Sequence, residues 1–90
     1  MSHGEYRDLS EVVLGDYISI RPSSGEPARW FELRAKVGSE NPTGDGHVQL
    51  LTDSEVHAIA GPADKVMSLK AAEARALIEQ HGVLPAPGAR

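Results

Sequence analysis

The chain has 90 residues, 13 acidic and 9 basic, with a formal net charge of −4, one Trp, one Phe, two Tyr and no Cys. One small domain with an aliphatic core is what this length and composition allow, and no disulfide scaffold, thiolate metal site or cysteine nucleophile is possible. No apolar run approaches the roughly 20 residues of a membrane span, and Met1–Glu11 lacks the pattern of a signal peptide, so a cytoplasmic protein is expected.

Residues 1–11 have no periodicity and read as a mobile N-terminal arm. A single domain then runs over 12–84. Val12-Val13-Leu14 precedes the turn pair Gly15-Asp16. Tyr17-Ile18-Ser19-Ile20-Arg21 alternates, with Ile18 and Ile20 inward. Pro22–Pro27 is a loop by composition. Trp30–Val37 carries the clearest strand signal. Phe31, Leu33, Ala35 and Val37 share one face, while Trp30, Glu32, Arg34 and Lys36 share the other, which is expected to be wet.

Gly38–Gly46 reads as a long hairpin loop. His47–Thr52 and Val56–Ala60 form the next pair around Ser54, with Val48 opposite Ala60, Leu50 opposite Ala58 and Thr52 opposite Val56. This register leaves Leu51 and Ile59 outside, as the expected floor for a helix. Gly61–Asp64 breaks the chain and Val66-Met67 reads as a short closing strand. Ser68 is the expected N-cap of a helix over 69–81, with Leu69, Ala72, Ala76 and Leu77, and Ala74 and Ile78 alongside, as its broad apolar face. Gly82 ends it, with Val83 packing back on Ile78. Residues 85–90 read as a disordered tail.

Five short strands in meander order followed by one helix predict a mainly β domain, a small partly open barrel with a C-terminal α-helix. Gly15-Asp16-Tyr17-Ile18-Ser19-Ile20 resembles the opening of SH3-like barrels, where a Gly-Asp turn leads into the first strand. The resemblance covers residues 15–67 and implies an SH3-like fold. Between Arg21 and Arg29 there is no acidic, tyrosine-rich loop, and no tandem tryptophan follows. The polyproline recognition of proline-peptide-binding SH3 domains is therefore not implied.

Four histidines invite a metal reading, but none are spaced as His-x-His or His-x-x-x-His, and the expected register sets His47 and His57 apart. No metal or other cofactor is expected. Asp53, Ser54 and His57 are the residue types of a nucleophilic triad, yet Asp and Ser at a tight turn are explained by the turn. Gly44-x-Gly46 leads into a strand, whereas a phosphate loop opens a helix.

The remaining constellation is Tyr17, Arg21, Trp30, Arg34 and Lys36. Pairing 17–21 with 30–37 gathers two aromatics and three cations on one surface. Aromatic residues and Arg are enriched at protein interfaces. The expectation is a non-catalytic binding or adaptor module acting through protein–protein contact, with self-association through the alanine-rich helix as one route. Nucleic acid is the alternative partner, since residues 21–36 carry a local charge of +2, although the chain as a whole is acidic. A small metal-dependent or hydrolytic enzyme is a third reading. The competing account of Trp30 is structural: a ring that lids the core, its N–H bonded to a loop carbonyl.

Overall fold

The computed structural model describes residues 4–38, 47–54, 56–61, 64–85 and 87. The elements in chain order are β1 (Glu5–Asp8), a 3₁₀ turn (Leu9–Glu11), β2 (Tyr17–Ile20), β3 (Arg29–Val37), β4 (Val48–Thr52), β5 (His57–Ala60), β6 (Lys65–Leu69) and α1 (Ala71–His81). The six strands are antiparallel and form one open sheet in the order β1-β6-β2-β3-β4-β5. The expectation of a mainly β chain with one C-terminal helix holds. The sheet does not close into a barrel, and it has a sixth strand, because residues 5–8 pair with β6.

The expected N-terminal arm is therefore structured from Glu5 onward. Leu9 on the 3₁₀ turn inserts fully into the core beside Val12, which gives this polar segment an apolar anchor. Residues 1–3 of that arm, the Gly38–Gly46 loop beyond Gly38 and the tail residues 86 and 88–90 lie outside the described residues.

The expected β4–β5 register is observed, with Val48 opposite Ala60 and Leu50 opposite Ala58. Val48 and Leu50 are buried, and Val56, Ala58 and Ala60 pack on the same cluster. The main core combines Leu9, Val12, Ile18, Ile20, Leu33, Val48 and Leu50, with Phe31 and Val66 against it. It lies on one face of the sheet.

The other face holds a smaller cluster of Leu69, Ala74 and Leu77, flanked by Tyr17, Trp30 and Leu84. Here α1 covers the sheet. It begins at Ala71, two residues later than the expected start, because Leu69 still pairs with Tyr17 as the last residue of β6. Ser68 is not its cap. Ser68 is buried in the sheet, where its hydroxyl accepts a 2.9 Å bond from Arg7 Nη1. Ala72 and Ala76 are exposed, and the buried stripe is Ala74 and Leu77, one turn apart. The floor under α1 is Tyr17, Trp30 and Leu69, not Leu51 and Ile59, and Ile59 remains 61% exposed. Gly82 at φ +80° closes the helix by donating to the Ile78 carbonyl at 2.7 Å. Val83 is exposed, so no apolar clasp with Ile78 buries it.

Candidate interaction face around Trp30

The strict alternation of β3 does not survive along its whole length. Leu33 pairs with Thr52, but Ala35 pairs with Leu51, which places a bulge at Arg34. Beyond it every side chain changes face. Lys36 now stands opposite buried Leu50, on the main-core side, and its Nζ donates to the Leu9 carbonyl at 3.0 Å. Val37, expected inside, is half-exposed for the same reason.

The five candidate residues therefore do not form one patch. Lys36 is on the opposite face. Arg34 Nη2 lies 2.6 Å from Glu32 Oε1, so its charge is engaged beside Trp30. Arg21 is exposed just past the end of β2. Tyr17 and Trp30 do share the helix-covered face, on neighbouring strands, but they open onto separate depressions. Tyr17 borders one of about 230 Å³ with Glu32, Arg75 and Glu79. Trp30 borders one of about 300 Å³ lined by Arg29, Leu84, Pro85 and Pro87.

Trp30 is half-buried, and the expectation that its face is wet fails because α1 and the chain after it fold over that face. Its Nε1–H donates to the Pro85 carbonyl at 2.8 Å. The bond matches the structural account, in which the indole lids a core and finds a loop carbonyl. Pro85 thus has a defined place, although the sequence puts it in a disordered tail. Gly4 approaches the indole from the N-terminal side. A Cβ there would sit 2.6 Å from Trp30 Cη2 and 2.9 Å from the Ser68 carbonyl, and Gly4 also holds φ +86°. Only glycine fits this passage without displacement.

Two groups outside the five candidates have defined places in the structure. Arg29 is exposed at the head of β3, its guanidinium carbon 5.6 Å from the Phe31 centroid, within cation–π range. In the sequence it counts only toward the basic stretch 21–36, and its stacking on Phe31 sets its guanidinium on the main-core side, opposite Trp30. Asp16, read as a turn residue, is only 3% exposed and holds the helix in place. Its Oδ1 accepts from the Ala71 N–H at 3.2 Å, while its Oδ2 accepts from Lys70 Nζ at 2.9 Å and from the Val13 N–H at 3.1 Å. One carboxylate thus caps α1 from 55 residues away and neutralises the lysine at its entrance. Burial pushes the Asp16 carboxyl up, but the bonds from Lys70, Val13 and Ala71 together with the Lys70 charge outweigh it, and the net shift is downward.

The groups considered for catalysis have other placements. The Ser54 hydroxyl accepts from the Val56 N–H at 3.2 Å and bonds Thr52 Oγ1, which builds the β4–β5 turn. Among the described residues no three His, Asp or Glu side chains converge as a metal site. No described helix is long and apolar enough to cross a membrane. Comparison with protein-family models, with curated proteins and with solved structures yields no match, so the site is read from its own geometry.

Proposed function

We propose that the protein is a non-catalytic binding module that acts through protein–protein contact, with Trp30 at the centre of the contact face and Arg29 at its rim. The observation that carries this reading is the groove of about 300 Å³ beside Trp30, where a half-buried indole meets Leu84, Pro85 and Pro87, with Arg29 only at its rim. Aromatic and aliphatic surface of this kind is typical of protein contact sites. An SH3-like character for residues 15–67 belongs to the same reading. The dispersal of the cations favours protein over nucleic acid: Arg34 is paired with Glu32, and Lys36 faces Leu9 on the far side. A phosphate backbone is better served by cations aligned on one surface.

A photo-crosslinking residue at position 29, with one at exposed Gln80 as control, tests the reading in the native cell. Protease-sensitive, nuclease-resistant adducts are expected from position 29. Nuclease-sensitive adducts would instead support nucleic acid, and adducts from position 80 alone would discard the face.

A second reading, self-association, is favoured by the edges of the sheet. The β1 edge carries Glu5, Arg7 and Asp8, charges that discourage strand addition. The β5 edge, His57–Ala60, has no carboxylate or lysine and exposes Ile59 beside a cleft of about 410 Å³. Sedimentation should show a concentration-dependent dimer that Ile59→Lys abolishes; a monomer at every concentration discards it.

A further inference from the structure

We propose that the Trp30 indole is a docking site for an extended proline-containing peptide, and that the chain covers the indole with its own Leu84, Pro85 and Pro87. This inference rests on the reading of Trp30 as a contact face, and it names the partner's chemistry.

The segment already seated against the indole carries the argument. Gly82 reverses the chain at φ +80°, and the segment that follows returns across the sheet to the indole. Leu84, Pro85 and Pro87 line the depression together with Trp30 and Arg29, and all three are half-buried. The indole N–H is a donor with no acceptor capacity, and the group it selects is the carbonyl of a proline. Proline suits such a place for three reasons. Its ring fixes φ near −65° and biases the residue before it toward extended backbone, so little conformational freedom is lost on docking. Its missing N–H leaves no backbone donor to bury unpaired on the apolar ring. Extended proline segments are recognised in general by aromatic-lined grooves.

The closure is weak enough to be displaced. One neutral hydrogen bond secures it to the indole, and Val83, at the root of the segment, is 70% exposed. A partner segment with the same Pro-x-Pro spacing would satisfy the same indole N–H and replace the same apolar contacts. The groove would then report its state through the single tryptophan of the chain.

The experiment uses the full ¹⁵N-labelled chain and a synthetic peptide copying residues 83–90, with a control peptide in which both prolines are alanine. The readout is the indole N–H resonance of Trp30, alone in its region because no other Trp is present. A second full-length chain carries Leu84→Ser, Pro85→Gly and Pro87→Gly, which loosen the closure. The proline peptide should shift the indole resonance saturably in both chains. A groove closed in nine molecules of ten lowers apparent affinity about tenfold, so the loosened chain should bind about tenfold tighter.

No saturable shift in either chain overturns the docking site. Equal shifts with the alanine peptide overturn the proline chemistry, and equal affinity of the two chains overturns the closure. The wild-type titration stands on its own if the loosened chain fails to fold. Protein adducts from position 29 in the crosslinking experiment, combined with a negative peptide result, would leave the contact face standing and remove only this partner.

Discussion

The two faces of the sheet are stabilised by different means. The main core draws on five separate stretches of chain, and Leu9, Val12, Ile18, Leu33, Val48 and Leu50 are each essentially inaccessible. Non-directional burial is sufficient there. The helix layer buries only Leu69, Ala74 and Leu77. An 11-residue helix is too short to persist alone in water, and its apolar stripe is narrow. Its position depends on directional contacts at both ends: Asp16 with Ala71 and Lys70 at the start, Trp30 with Pro85 just beyond the finish. Where apolar area is scarce, a few polar bonds decide where an element sits. Such a layer is also the part expected to open first.

The largest test of this contrast is Leu33→Ala against Leu77→Ala. Leu33 is fully enclosed at the centre of β3, and its loss should lower stability by about 4 kcal/mol in urea titrations. Leu77 lies under a helix that can settle inward, so about 2 kcal/mol is expected. Equal losses would show that the layers are one cooperative core.

Asp16→Ala comes next. It strips the cap from α1, leaves the Val13 and Ala71 N–H groups without their acceptor and leaves Lys70 with the Glu11 carbonyl but no paired charge, a loss of about 2 kcal/mol. Hydrogen exchange should rise first across residues 71–81. A uniform rise over the whole sheet would place Asp16 in the main core instead.

Acid should act through the same carboxylate. The native pKa of Asp16 lies below its ordinary value of 3.8, so the unfolded chain binds the proton more readily. The stabilisation is fully present above 3.8 and is lost as pH falls through the lowered native value. An Asp16→Asn chain should show a shallower loss of stability over that acid range. An unchanged slope would mean that other carboxylates carry the acid sensitivity.

The smallest effect expected is Trp30→Phe, which keeps an aromatic lid and removes the bond to Pro85, at about 1 kcal/mol. The resonances of Leu84 and Val83 should narrow as that segment is released, while those of Leu50 and Val48 stay in place. Movement of the β4 signals would tie the Trp30 groove to the main core.

Much of the main core was legible because it depends on local patterning. Ile18 and Ile20 alternate with polar neighbours, and the three-residue turn at Ser54 sets the β4–β5 register that is observed. The helix was legible through alanine, leucine and Gly82. Its first turn was not, since the cap comes from Asp16 and no rule of local spacing links residues 16 and 71. Strand β1 was missed because Glu5-Tyr6-Arg7-Asp8 carries no apolar alternation; its pairing with β6 is made by backbone bonds, with the Arg7 side chain reaching the Ser68 carbonyl and hydroxyl. The candidate site was half legible. Trp30 and Tyr17 lie on one face, but the bulge at Arg34 removes Lys36 from it.

The sequence by itself determined that the chain is mainly β with one C-terminal helix, which strand face is apolar up to Leu33, and how β4 meets β5. These follow from period, turn chemistry and propensity, all of which act over a few residues. Only the tertiary structure decided that the sheet stays open, that β1 joins β6, that α1 rests on Tyr17, Trp30 and Leu69, and that Trp30 is covered by Pro85. The last three join residues about 50 or more positions apart in the chain for at least one partner, as Trp30 and Pro85 do across 55. Contacts at that range are settled by competition among all the surfaces of the folded chain, and no local pattern records the outcome.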